Sequence, residues 1–386
     1  MYQATVDEIR RGETTDVYFQ RTVEIIRAAQ LDRRVRAEFS VKGLPYGYTW
    51  AIFAGLEEVF AVLDGLDLNV RGMPEGTLVR PHEPVMEIEG LYLSFAVLET
   101  AILGMLCQSS GVATKAARMR VVAGERLVAS FGARRMHPCV APVIERAAFI
   151  GGCDGVSVVK SAQLLGEDPT GTTPHALMLL AGDTVEAMRL FDRIVPVEAR
   201  RIALIDTFQD EKFEAIRVAE ALGDTLFGIR LDTPGSRRGN FAQILQEVRW
   251  ELDLRGFDHV QLIVSGGLDE PEVAELRELV YGFGVGTSIA NARTIDYAMD
   301  IVEIEGRPVG KRGKMSGAKQ VWRDPARLHD IVLPLSVEPR DADREAVLVP
   351  LLDDGHLVNP LPAARDIRQH VLGQLAIVGG EVEPIS

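Results

Sequence analysis

Three short stretches of this chain concentrate groups able to hold phosphates around a reacting centre. They are Thr170-Gly-Thr-Thr-Pro-His175-Ala-Leu177, Ser130-Phe-Gly-Ala-Arg-Arg-Met-His137 and Ser265-Gly-Gly-Leu-Asp-Glu270. An imidazole, two guanidinium groups and a diglycine turn are supplied from separate segments. Phe131 offers a flat ring for stacking, and the neighbouring Arg134 and Arg135 can grip a carboxylate or phosphate through a planar fork. Taken alone, the same motif reads as a core Phe beside two solvated arginines, and a single loop histidine such as His175 as surface decoration or a cap.

A second group has the same character. Gly284-Val-Gly286-Thr287-Ser288 ends an apolar run and opens a helical pattern, where backbone N–H groups and the helix dipole would favour an anion. Asp154, Asp206, Arg230 and Asp232 are bland singly and suggestive together. The two aspartates, Asp206 and Asp232, carry the hard oxygen ligands that suit Mg2+, while a structural salt bridge from Arg230 to either is an equal alternative.

These residues need a scaffold that brings strand ends together. Short β-branched runs alternate with helical patterns between about 130 and 295. Arg201–Asp206, Thr225–Leu231 and His259–Val264 read as buried strands, and 240–254 and the segment after Pro271 as helices. Continuous apolar strands separated by helices imply parallel pairing with both faces covered, in a β/α barrel or an open doubly wound sheet. The barrel is favoured, because Asp206, Arg230, Asp232 and Ser265 fall at strand C-terminal ends. Before residue 115 the punctuation by Gly72-Met-Pro-Glu-Gly-Thr77 and Arg80-Pro-His-Glu-Pro84 predicts antiparallel strands, followed by a helix over 95–124. Strand patterns at 301–306 and 319–322 suggest that the C-terminal segment returns to the first domain. The expected division is thus residues 1–115 with 295–386, and a barrel over 116–294.

Composition sets the outer limits. The chain has 386 residues, 47% hydrophobic, with 42 Lys plus Arg against 56 Asp plus Glu and a formal charge of −14. That charge opposes nonspecific binding to nucleic acid or anionic membrane. No apolar run reads as a membrane span, and the acidic N-terminus lacks a secretory pattern, so a cytoplasmic location is expected. Cys107, Cys139 and Cys153 have neither zinc-site spacing nor disulfide parity and read as reduced, mostly core residues. No GxxxxGK[ST] motif is present, which argues against a P-loop.

The ordered set Phe131-Gly-Ala-Arg-Arg135, Ile150-Gly-Gly-Cys-Asp-Gly-Val-Ser157, Gly171-Thr-Thr-Pro-His175, Ile205-Asp206, Arg230-Leu-Asp232 and Ser265-Gly-Gly267 resembles the nicotinate phosphoribosyltransferase family. Thr15-Asp16-Val-Tyr18, Glu99-Thr100 and Ser110-Gly-Val-Ala-Thr114 extend the likeness. The resemblance implies an α/β fold, with an irregular, incomplete β/α barrel and an N-terminal α/β domain completed by the C-terminal segment. It also implies a homodimer or higher homo-oligomer with shared sites, whose substrates are nicotinate, 5-phosphoribosyl 1-pyrophosphate and ATP. Phe131 and Tyr18 would sandwich the pyridine ring, with Tyr18 supplied across the interface. Arg134 and Arg230 would bind substrate anions, with Arg135, Asp154 and Thr173 nearby. Gly266, Gly267, Gly286 and Thr287 would hold the 5-phosphate, Asp232 the ribose or Mg2+, and His175 would become phosphohistidine. No zinc is expected. Quinolinate and nicotinamide phosphoribosyltransferases are the close alternatives. A Schiff-base aldolase using Lys160 and a non-catalytic phosphate-binding barrel are distant ones.

Overall fold

The computed structural model describes residues 2–379. The chain forms two compact units, one from the part up to Ala117 together with the part from Ala292, the other from Arg118–Asn291.

The first unit is built on a seven-stranded sheet whose paired strands run antiparallel. At its centre Arg34–Gly43 pairs with Pro84–Leu91 on one side and with Asp296–Ile304 on the other, so the returning C-terminal segment supplies an interior strand. Val349–Asp353 adds a further strand against Leu68–Gly72. Alternation sends Ala37, Phe39 and Val41 into the core, while Glu38 on the opposite face meets Lys319 at 2.7 Å. The helix Leu56–Leu63 buries Leu56, Val59, Phe60, Val62 and Leu63. Each such side chain contributes roughly 1.5–3 kcal/mol of burial.

The helix Glu99–Ala123 packs Ile102 and Leu106 into the core of the first unit. Within Ala96–Ala123 an 18-residue window has a mean hydropathy of 1.3, long and apolar enough by composition to cross a membrane, yet half of that window is buried in the protein. Its hydroxyls also serve the core. Ser110 Oγ and Thr114 Oγ1 accept the backbone N–H groups of Ala54 and Ile52, each at 2.9 Å. The polarity inside it therefore belongs to a core helix.

The second unit holds six parallel strands: Leu127–Ser130, Gly155–Val156, Ile202–Leu204, Gly228–Leu231, Gln261–Ser265 and Gly282–Val285. Their spatial order is second, first, sixth, fifth, fourth, third. The last strand pairs with the first, Phe283 opposite Val128 and Val285 opposite Ser130. That order is a ring, not an open doubly wound sheet, and it is broken only between the second and third strands.

The gap is bridged by an irregular segment. Thr170 N–H donates to the Val156 carbonyl on one side at 2.8 Å. On the other, Thr173 Oγ1 donates to the Ile202 carbonyl and accepts from Leu204 N–H, both at 3.2 Å. Residues 170–173 thus replace a missing strand with three hydrogen bonds, and they deliver His175 as the first residue of the helix His175–Ala181.

Candidate functional site

The barrel closure fixes where His175 stands. Its Nδ1 lies 3.0 Å from Thr207 Oγ1, in the loop after the third strand. Its Nε2 lies 4.0 Å from Asp206 Oδ1 and 3.7 Å from Asp232 Oδ2. The two carboxylates follow the third and fourth strands, so one imidazole joins three segments at the strand C-terminal ends. A proton on Nδ1 donated to Thr207 leaves the Nε2 lone pair on the side of the carboxylates.

Asp206 and Arg230 are the electrostatically expensive members. Burial raises the Asp206 carboxyl above its ordinary range and Asp232 adds to this, against the opposing influence of His175. Arg230 is shifted down, also by burial first, with Arg134 adding to it and Asp232 and Asp206 opposing it. Arg230 Nη2 reaches the Thr173 carbonyl at 3.3 Å. Among the described residues, Asp206 Oδ1 and Arg230 Nε are buried without a hydrogen-bond partner. Such groups cost about 1–3 kcal/mol each unless a ligand meets them.

Backbone turns complete the rim. Ser265 Oγ donates to Asp232 Oδ1 at 2.7 Å. The adjoining Gly266 and Gly267 have φ of +83° and +59°, where glycine is favoured, and a Cβ on Gly266 would stand 2.7 Å from Asp232 Oδ1. Phe131 follows the first strand, its N–H bonded to the Val285 carbonyl at 2.8 Å. A side edge of its ring occupies the space that a Cβ on Gly284 would take. Arg134 and Arg135 lie exposed in the one-turn helix Ala133–Arg135. Gly286 and Thr287 also sit on this rim, but the helix Thr287–Ala290 has four residues. Its dipole is correspondingly small, and any anion there would rest on individual N–H groups.

Other expected residues stand elsewhere or act differently. Asp154 precedes the second strand, at the opposite ends of the strands from the rim. There its Oδ2 accepts from Arg120 Nη1 at 2.6 Å and from Val128 N–H at 2.8 Å. It is a structural tether there. The Thr173 hydroxyl is spent on the third strand. Tyr18 belongs to the first unit, 55% exposed on the helix Val17–Ala29, with its ring 4.4 Å from that of Phe19. Lys160 is exposed on a helix surface, its Nζ 3.3 Å from Gln163 Oε1, and is not enclosed in the apolar pocket that a Schiff-base lysine uses. Of the cysteines, Cys153 is buried but Cys139 is exposed, so the core reading fails for that residue.

One organising residue escaped the sequence reading. Arg238 donates from Nε to the Thr233 carbonyl at 2.8 Å and from Nη2 to the carbonyls of Ser265, at 3.1 Å, and Gly266. Its only sequence signal is a pair of arginines in a Gly-rich turn. The Asp206–Asp232 pair offers hard oxygens, one of them unsatisfied, which fits a Mg2+ ion otherwise coordinated by water and phosphate. Among the described residues no group of three or more His, Cys, Asp or Glu side chains is placed to hold a metal ion together.

Comparison with known proteins follows the same outline. Residues 16–110 match the family model of the quinolinate phosphoribosyl transferase N-terminal domain, and 112–300 that of its C-terminal domain. A crystal structure of nicotinate-nucleotide pyrophosphorylase from Pyrococcus furiosus superposes with a TM-score of 0.96 at 49% identity, covering 99% of both chains. Human nicotinic acid phosphoribosyltransferase has a TM-score of 0.75 at 21% identity, covers 94% of each chain, and shares the fold. A nicotinate phosphoribosyltransferase of Mycobacterium tuberculosis is 33% identical over 77% of this chain and 66% of its own length. That of Bacillus subtilis is 30% identical over 68% of this chain and 59% of its own. The match thus spans about two thirds or less of these curated relatives.

Proposed function

Since the chain belongs to the quinolinate phosphoribosyl transferase family, we propose that it transfers the phosphoribosyl group of 5-phosphoribosyl 1-pyrophosphate to nicotinate. The products are nicotinate mononucleotide and pyrophosphate, in NAD biosynthesis, with the reaction coupled to ATP hydrolysis. The observation that carries this reading is His175, held by Thr207 at Nδ1 with Nε2 between Asp206 and Asp232 on the barrel rim. Quinolinate is the second reading, favoured by the family description and by the name of the archaeal neighbour.

The pyridine nitrogen brings its own lone pair, so no general base is required. Acceleration must come from alignment and from charge placed where the anomeric carbon becomes cation-like. Phe131 would hold the ring against the rim, paired with Tyr18 of the partner subunit. Arg134 and Arg230 would balance substrate anions, and the glycine turns would receive the 5-phosphate. Asp232 and Asp206 would hold Mg2+, which when bound offsets the negative charge of the leaving pyrophosphate. In the coupled reaction His175 Nε2 forms a bond to the γ-phosphorus of ATP as the bond to the ADP oxygen breaks.

The test uses γ-labelled ATP and the wild-type protein with nicotinate, nicotinamide and quinolinate in parallel. Base-stable, acid-labile label at His175 is expected, with ATP stimulating mononucleotide formation from nicotinate. His175→Ala should lose the label and the stimulation, keeping weaker ATP-independent synthesis. Turnover of quinolinate with carbon dioxide release and no label would replace the first reading by the second.

A further inference from the structure

We propose that Arg238 is a positioning residue that aims the amide N–H groups of Gly266 and Gly267 at the phosphate monoester of the phosphorylated sugar. The inference rests on the phosphoribosyl-transfer reading and adds to it the origin of the phosphate turn's orientation. In a planar trans peptide the carbonyl and the following N–H point in opposite directions. Arg238 Nη2 binds the carbonyls of Ser265 and Gly266, and these belong to the peptides whose N–H groups are those of Gly266 and Gly267. Both donors are therefore turned away from the guanidinium, in parallel. Neither makes a backbone hydrogen bond among the described residues. Withdrawing electron density at each carbonyl also strengthens its N–H as a donor.

The guanidinium is itself held. Its Nε bonds the Thr233 carbonyl at 2.8 Å, Thr233 Oγ1 donates to Glu211 Oε1 at 2.6 Å, and the Phe241 ring lies 4.8 Å from the guanidinium carbon. Arg238 thus ties the loop after the fourth strand to the turn after the fifth. Asp232 makes a second tie through Ser265 Oγ. The left-handed φ of both glycines leaves the turn without intrinsic preference, so an external clamp is needed to select one orientation.

The experiment measures calorimetric binding of 5-phosphoribosyl 1-pyrophosphate and of ribose 5-phosphate to wild type, Arg238→Met and Arg238→Lys. Steady-state KM for sugar and base and melting curves accompany it. For Arg238→Met, affinity for both phosphorylated sugars should fall tenfold or more, with the KM for the pyridine base within about twofold. Arg238→Lys should recover only part, because an ammonium cannot hold both carbonyls and Thr233 in one plane. Full affinity in the lysine variant would mean that charge alone suffices and would overturn the orientation argument. Unchanged affinity in a folded methionine variant, or equal losses for sugar and base, would do the same. Failure of the wild type to bind either sugar would remove the transfer reading and this proposal together.

Discussion

The Glu87 cluster of the first unit's sheet and the rim of the barrel treat buried charge in opposite ways. In that sheet, Glu87 is 1% exposed and accepts from Arg71 Nη1 at 3.1 Å, Arg36 Nη1 at 3.3 Å and the Lys319 N–H at 3.3 Å. Arg323 meets Asp330 through two bonds of 2.8 and 2.5 Å. On the barrel rim, Asp206 and Arg230 are buried enough to shift in the directions that disfavour their charges, yet each keeps an unpartnered polar atom. A closed network of the first kind holds a fold in register. A buried charge left open at strand ends is a cost that a ligand would offset, and the combination of an open atom with a charge-disfavouring shift at Asp206 and Arg230 makes the rim the candidate site without reference to any motif.

The contrast is tested most forcefully at Glu87. Glu87→Leu removes the buried carboxylate that Arg71 and Arg36 share; Arg36 keeps Glu89 and Glu303, but Arg71 loses its carboxylate partner, so stability should fall by about 3–5 kcal/mol. Denaturant unfolding measures this, while the folded fraction keeps the wild-type KM for both substrates. A loss below about 1 kcal/mol would place the network with ordinary surface ion pairs and erase the distinction.

Glu83 gives a smaller effect with a definite sign. Burial, aided by Asp330, pushes its carboxyl up to about 7 from an ordinary 4.5. The folded state therefore holds this proton more tightly than the unfolded one. The resulting stabilisation is complete below pH 4.5 and is lost as pH rises through about 7. Glu83→Gln should keep the 2.8 Å bond from Arg80 N–H without titrating. The stability of wild type relative to this variant should then decline between pH 5 and pH 8, by roughly 1–3 kcal/mol. Parallel unfolding curves at both pH values would show that the Glu83 charge is already compensated in the fold.

What the sequence disclosed follows the same division between side-chain signals and backbone ones. The runs at 201–206, 225–231 and 259–264 contain the observed strands Ile202–Leu204, Gly228–Leu231 and Gln261–Ser265 to within a few residues. Asn240 and Asp269 cap the helices that follow, because apolar runs and capping side chains are written in residue types. The bridge at 170–173 has no periodicity, since it replaces a strand with single hydrogen bonds, and only the chemistry of His175 drew attention to it. Arg238 was illegible because its partners are carbonyls, which every residue possesses. Asp154 misled for a related reason: Gly-Gly-Cys-Asp-Gly resembles a rim turn, but the strand it precedes has two residues, and only the pairing of Ala129 with Gly155 shows which end it occupies.

The smallest effect, and the one that sharpens the rim most, concerns Phe131. Its ring is half-exposed, and an edge of it fills the volume left by the missing Gly284 side chain, so it is fixed by backbone without being buried. Phe131→Ala should therefore spare the fold and remove a stacking surface worth roughly 0.5–1.5 kcal/mol beyond lost area. The expected result is a KM for nicotinate raised about threefold to tenfold, with the KM for 5-phosphoribosyl 1-pyrophosphate unchanged. This is the reverse of the pattern expected for Arg238→Met. Gly284→Ala approaches the same ring from behind: its new methyl group collides with the edge, and the ring must move while Phe131 itself is retained. If Gly284→Ala raises the nicotinate KM and Phe131→Ala does not, the rim shape matters but the ring does not contact the base. If both variants weaken the sugar phosphate instead, the base and phosphate halves of the rim have been assigned the wrong way round.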